Sequence, residues 1–256
     1  MKDLDVNLLE LVDYTAEVEK QRENLADILT EKGIEADKSE FLNTLIPKVA
    51  DIKSGGDTEY INNLVERNVN ITKLPNGITT IGDYAFYYCN VLTINEISDT
   101  VTSIKTYGFC NCLGLTDISG VNVTAIGNAA FSGCKNLKTV YLPKVQYAPW
   151  YSFYNCNSLE TLTLGTLTTT HNQAFQSCNK LKNITIGEGT NSTLDLHWST
   201  ELTKESIYGM IENVADMTGK TAPKMIVHDN CVAIDEEHLS MINSKNWEHN
   251  FVLLEG

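Results

Sequence analysis

The stretch Ile81-Gly-Asp-Tyr-Ala-Phe86-Tyr-Tyr-Cys89-Asn-Val-Leu92 decides how the chain reads, because it returns four times. Its relatives are Ile104-Lys-Thr-Tyr-Gly-Phe109-Cys-Asn-Cys112-Leu-Gly-Leu115 and Ile126-Gly-Asn-Ala-Ala-Phe131-Ser-Gly-Cys134-Lys-Asn-Leu137. Then come Ala148-Pro-Trp-Tyr-Ser-Phe153-Tyr-Asn-Cys156-Asn-Ser-Leu159 and Thr170-His-Asn-Gln-Ala-Phe175-Gln-Ser-Cys178-Asn-Lys-Leu181. Both Phe and Cys recur in steps of 23, 22, 22 and 22 residues. A pattern held at so many positions marks a repeat architecture. One copy is too short to bury its own apolar face, so the copies must stack, with Phe on Phe, Cys on Cys and Leu on Leu inside.

Each Leu is followed by alternation like that of a half-buried strand: Lys138-Thr-Val140-Tyr-Leu142, Glu160-Thr-Leu162-Thr-Leu164, Lys182-Asn-Ile184-Thr-Ile186. A second extended stretch precedes the motif in Ile78–Ile81, Val101–Ile104 and Val123–Ile126. Small residues stand before each Phe (Ala85, Gly108, Ala130, Ser152, Ala174), where backbones of neighbouring coils approach. The expected fold is α/β, a β-rich solenoid of stacked ~22-residue coils; five coils at roughly 4.8 Å span about 25 Å.

The pattern I-G-x-x-A-F-x-x-C-x-x-L-x-x-[IV]-x-[IL] resembles the BspA-type leucine-rich repeats of bacterial surface proteins, over about residues 69–190. The resemblance implies a leucine-rich-repeat solenoid and an adhesion-like role at a cell surface. Copy four departs with Ala148-Pro149-Trp150 in place of Ile-Gly, and copy five with Thr170-His171.

The ends read differently. Leu4, Leu8, Leu11, Thr15, Val18, Arg22, Leu25 and Leu29 form a helical seam over 4–30, with Thr15 and Arg22 its weak positions. Such a stripe is buried either by a partner chain, which makes residues 4–30 a candidate homo-oligomer contact, or by a second helix starting at Ser39. Ser54-Gly-Gly-Asp57 reads as a linker. Residues 24–49 resemble a short helical module of phage tail-associated proteins, which implies virion association. Past residue 190, Leu194–Leu196, Met225–Val227 and Phe251–Leu254 read as strands, with helices near 203–217 (Thr203 as N-cap) and 235–244. The expected organisation is a helical attachment region (1–53), a linker and N-terminal cap (54–68), five repeats (69–190) and an α/β cap (191–256).

Of 256 residues, 42% are hydrophobic and 20% charged, the balance of a foldable globular chain. A net charge of −14 argues against nucleic acid and against anionic membranes as partners. No apolar run is long enough to insert into a membrane. Met1-Lys-Asp-Leu-Asp5 is acidic and lacks the apolar core of a signal peptide. Acids outnumber bases 14 to 7 in residues 1–57 and 11 to 4 in 191–256, while residues 69–190 carry 6 acids and 7 bases. A nearly uncharged middle between acidic ends suits a neutral contact surface.

Chemistry is not legible. GxSxG, HExxH, Walker A and GxGxxG patterns are all missing from the sequence. Five of the seven Cys occupy one repeat column and read as buried thiols, and Cys110-Asn-Cys112 lacks the further ligands zinc requires. His238 and Glu237 read as a solvated helix face, Asp235-Glu-Glu237 as a helix N-terminus, and Asp99 and Asp117 as loop residues. No catalytic, cofactor or metal residue is assigned, and the chain is expected not to be an enzyme.

The candidate binding surface is Tyr84, Tyr87, Tyr88, Tyr107, Trp150, Tyr151 and Tyr154 around the repeat Phe, with Tyr141, Thr161 and Thr163 on the strand face. Tyr and Trp are common binding anchors. The expected function is a recognition scaffold binding a protein or glycan on a cell surface. The competing expectation is a structural or assembly subunit of a phage tail or cell-surface structure whose repeats bind nothing.

Overall fold

The computed structural model describes Leu74, residues 78–89 and residues 92–254. By compactness the chain divides into residues 1–69 and 70–256, and the described residues belong to the second unit. The helices expected over 4–30 and from Ser39, the linker at Ser54–Asp57 and the module over 24–49 lie outside the described residues.

In chain order the repeats contribute β1 (Thr80–Ile81), β2 (Ser103–Ile104), β3 (Asp117–Ser119), β4 (Ala125–Ile126), β5 (Thr139–Leu142), β6 (Tyr147–Ala148), β7 (Thr161–Leu164), β8 (Thr169–Thr170) and β9 (Asn183–Thr185). Then follow β10 (Leu194–Leu196), α1 (Lys204–Asn213), β11 (Lys224–Val227), β12 (Ala233–Ile234), α2 (Glu236–Ser244), β13 (Glu248–His249) and β14 (Val252–Leu253). Coils two to five each supply one short strand before their Phe and a second after their Leu; the first coil supplies β1 and, after Leu92, only a bridge from Glu96 to Ser119. The first kind forms the parallel sheet β1-β2-β4 and the pair β6-β8; the second forms β3-β5-β7-β9.

Register follows from the repeat length. Ile118, Val140, Leu162 and Ile184 pair in one row, and all four are buried. Their neighbours alternate outward as two rows, Asp117-Thr139-Thr161-Asn183 and Ser119-Tyr141-Thr163-Thr185. Asp117, read as a loop residue, opens β3 instead, because Ile118 has a buried place in this row.

The interior is columnar. Phe86, Phe109, Phe131, Phe153 and Phe175 stack with centroid spacings of 5.2, 5.4, 5.5 and 6.0 Å. Leu92, Leu115, Leu137, Leu159 and Leu181 are fully buried beside them. Gly108, Ala130, Ser152 and Ala174 are buried as expected of close backbone approach, whereas Ala85 in the first coil is exposed. At Gly127 a Cβ would sit 2.4 Å from the Thr106 nitrogen, so only glycine fits against the preceding coil.

After β9 a helix takes the place of the next strand. Ser206 in α1 accepts from the Ile184 amide at 2.8 Å through Oγ and donates to the Ile184 carbonyl at 3.2 Å. Asn213 Nδ2 donates to Ile186 O at 3.1 Å, and the Thr203 amide to Lys182 O at 2.9 Å. These bonds engage backbone groups along β9 that an open edge strand would present to other chains. The helix starts at the expected N-cap, where Thr203 Oγ1 accepts from the Ser206 amide at 3.2 Å. It ends at Asn213, short of the expected 217, because Val214 turns extended and bridges Thr190. Lys245 Nζ donates to the Ile211, Glu212 and Val214 carbonyls at 2.9, 2.6 and 3.0 Å, satisfying that helix terminus with a positive charge. The parallel sheet β10-β11-β13 and the pair β12-β14 complete this region.

Candidate functional site

The segment around each Phe is a run of tight turns, and its amides divide into two sets. Alternate ones close turns within the coil, as in Ala85 to Gly82 O, Tyr87 to Tyr84 O and Cys89 to Phe86 O, at 3.3, 3.1 and 3.0 Å. The others reach the next coil: Tyr84 to Thr106 O at 3.0 Å, Phe86 to Gly108 O at 2.8 Å and Tyr88 to Cys110 O at 2.9 Å. The pattern repeats one coil on, with Tyr107 to Asn128 O, Phe109 to Ala130 O and Asn111 to Ser132 O. The turn edge thus carries its own ladder between coils.

That geometry places left-handed backbone two residues after every repeat Phe, and two residues before it in the first four coils. After it stand Tyr88 (φ 56°), Asn111 (57°), Gly133 (70°), Asn155 (59°) and Ser177 (63°); before it stand Tyr84 (57°), Tyr107 (56°), Ala129 (52°) and Tyr151 (56°). Gly and Asn suit this conformation, while an L-residue with a bulky side chain costs ~1–2 kcal/mol there. Tyrosine stands at four of these nine positions, against local preference.

The rings gather into two clusters. At the first coils Tyr84 stacks on Tyr107 at 4.9 Å, Tyr87 meets both edge-on at 5.6 and 6.1 Å, and Tyr88 meets Tyr87 at 4.5 Å. Tyr84, Tyr87 and Tyr107 are half-buried and Tyr88 is 55% exposed. At the fourth coil Tyr151 meets Tyr154 edge-on at 5.3 Å, repeating the Tyr84–Tyr87 arrangement, and Trp150 lies beside Tyr151 at 6.2 Å. His171, from the next coil, stacks on Trp150 at 4.2 Å, and Tyr147 meets His171 at 6.1 Å. Neither His171 nor Tyr147 was assigned to the binding surface from the sequence, since both contacts cross between structural positions of different copies. Tyr141, Thr161 and Thr163 stand apart from both clusters, on the outward rows of the second sheet.

The thiol column has a structural task. Cys112, Cys134, Cys156 and Cys178 each donate through Sγ to the Phe carbonyl of the preceding coil, at 2.8, 3.0, 3.1 and 3.1 Å. Burial pushes the Cys110, Cys134 and Cys178 thiols up to about 12, and raises Cys112 and Cys156 as well. Thiols held neutral in this way make poor nucleophiles. Ser152 Oγ and Gln173 Oε1 are buried and find no hydrogen-bond partner among the described residues.

In the C-terminal region Asp235 caps α2, accepting from the His238 amide at 2.9 Å and facing its Nδ1 at 2.8 Å. Those two bonds hold its carboxyl down at about 2. His238 does not lie on a solvated face. Its side chain is 12% exposed, because the ring stacks on Tyr208 of α1 at 3.7 Å and ties the two helices together. Among the described residues no group of three His, Cys, Asp or Glu is placed to hold a metal ion, and no helix is long and apolar enough to cross a membrane.

The chain is similar to several solved structures. A leucine-rich repeat protein from Bacteroides ovatus is 22% identical, over 65% of this chain and 45% of that one, with a TM-score of 0.36. The pneumococcal vaccine antigen PcpA is 15% identical, over 70% of this chain and 44% of its own, with a TM-score of 0.41. A leucine rich cell surface protein from Faecalibacterium prausnitzii is 15% identical over 71% and 64%, with a TM-score of 0.29. The chain spans less than two thirds of the length of each. None of the curated proteins matches it. The sequence pattern of the BspA type leucine-rich repeat region matches in six copies, over residues 62–182 and 120–198. Those spans take in more than half of the chain, and with the stacked Phe columns they identify it as a member of the BspA-type leucine-rich repeat family.

Proposed function

We propose that the chain is a non-enzymatic recognition scaffold, displayed at a cell or virion surface, that contacts a protein or glycan through the aromatic edge of its coils. One observation carries the reading. Tyr88 occupies a left-handed position where other coils have Asn111, Gly133 and Asn155, yet it is 55% exposed. Burial does little to offset the cost of that backbone, and a residue kept against local preference on an exposed surface points to contact with something outside the chain. Family membership supports the same reading, since chains of this family and fold are typically scaffolds without catalysis. Residues 1–53 would attach or oligomerise the scaffold, with the seam over 4–30 as the contact.

The test is capture on arrays of glycans and of bacterial surface proteins, comparing the full chain with Tyr88→Asn and Trp150→Ala. The reading expects one or more captured ligands whose signal drops at least tenfold in one of the variants. Capture that is absent, or indifferent to both substitutions, would contradict it. Light scattering on the full chain and on a chain starting at Gly56 tests the attachment role: a monomer in both cases removes it.

A further inference from the structure

We infer, building on the recognition reading above, that the Trp150 platform takes the C–H face of a neutral sugar ring, so that the ligand class of this edge is an uncharged glycan. Trp150 stands three residues before its Phe, where the other copies carry Asp83, Thr106, Asn128 and Asn172. Only copy four presents a large ring there, 42% exposed. The platform is held from both sides. His171 stacks on the indole at 4.2 Å, the Trp150 carbonyl accepts from the Ala129 amide at 2.8 Å, and the His171 amide donates to Ala148 O at 2.9 Å. Tyr147, 40% exposed, extends the surface beyond His171.

Three features narrow the occupant. First, the platform is uncharged. From Val145 to Asn179 the sole Asp, Glu, Lys or Arg is Glu160, which pairs with Lys182 at 3.6 Å. A charged partner gains no complementary field there. Second, the platform is small. Three partly exposed rings offer roughly 200–300 Å², against about 800 Å² per partner for a stable protein interface. Third, it combines a π face with hydrogen-bonding groups. An aromatic face is negative and attracts the C–H groups along one side of a pyranose. The His171 ring nitrogens make no hydrogen bond among the described residues, and with the exposed Thr169 and Asn172 side chains they suit sugar hydroxyls.

The experiment is a titration of the full chain with four neutral hexasaccharides (cello-, xylo-, manno- and N-acetylchitohexaose), following the indole N–H signals of its three tryptophans by NMR. The expected result is a saturable shift of the Trp150 signal with at least one of them, with Trp247 unmoved. Trp150→Ala should then weaken that binding at least tenfold, and Trp198→Ala less than twofold. If no sugar moves the Trp150 signal, the glycan assignment is overturned whether or not the variant folds, while the wider recognition reading still rests on the Tyr88→Asn capture. Sugar binding that survives Trp150→Ala, or that is lost only in Tyr88→Asn, also overturns it, by placing the sugar elsewhere.

Discussion

The inside of the coils and their turn edge obey opposite rules. Inside, every copy repeats the same residue: Phe in five coils, Cys in five, Leu in five. At the edge the same structural position holds Tyr88, Asn111, Gly133, Asn155 and Ser177 in turn. The interior repeats because each side chain must fit between its own copies above and below, at one coil spacing. The edge has no such requirement beyond its backbone ladder, so its residues vary, and where they are large and exposed they carry information the stack does not need.

Inside and edge should respond differently to specific changes. The largest effect expected is on raising the pH. The buried thiols at Cys110, Cys134 and Cys178 are held neutral up to about 12 in the folded chain, whereas an unfolded thiol ionises near 9. A folded value above the unfolded one means that stability is intact below about pH 9 and is lost as the pH rises toward the folded values. Each thiol withdraws about 1.4 kcal/mol per pH unit. Circular dichroism should therefore show cooperative unfolding between pH 9 and 12, and replacing Cys134 and Cys178 by Ala should reduce the slope of stability against pH in that window. An unchanged slope would mean that the column is open to water.

Next comes Phe131→Ala, in the middle of the ring column. Lost burial and the cavity left behind should cost ~3–5 kcal/mol, read as a lower denaturant midpoint. An unchanged midpoint would dissolve the distinction between inside and edge. Tyr88→Asn should act in the reverse sense on two readouts. Relief of the left-handed backbone should raise stability by up to about 1 kcal/mol, while ligand capture falls. A large loss of stability instead would place Tyr88 with the interior. Ser152→Ala is the smallest change. It deletes a buried hydroxyl that has no partner among the described residues, at a position where the third and fifth coils already carry Ala130 and Ala174, and should stabilise by about 1 kcal/mol.

How far the sequence could be read follows the same division. The Phe and Leu columns, the Cys column from Cys112 onward and the strands of coils two to five were legible because period and burial coincide, as in Val140, Leu162 and Ile184, whereas Cys89 in the first coil is half-buried. Thr203 was legible as a cap, since its side chain suits that role, and Asp235-Glu-Glu237 as an acidic helix N-terminus, of which Asp235 proves to be the cap. The left-handed backbone at Tyr84, Tyr88, Tyr107 and Tyr151 was not, because tyrosine gives no sign of positive φ as glycine or asparagine would. Nor was the stacking of His171 on Trp150, since in copy five the Trp position holds Asn172 and the ring comes from its neighbour. Ser206 was equally silent: one serine on a helix looks solvated until β9 is laid beside it. His238 misled for a related reason, its partner Tyr208 lying a helix away.

If the coils close around a continuous dry column, the reactivity of the thiols reveals it. The chain has seven cysteines; the four that bond to Phe carbonyls are fully buried, and Cys110 is buried beside them. Timed reaction with an aromatic disulfide reagent should label Cys89 and Cys231 first in the native chain, and all seven once it is denatured. Rapid native labelling of Cys134 or Cys156, or fewer than seven reactive thiols after denaturation without reductant, would contradict the stacked interior.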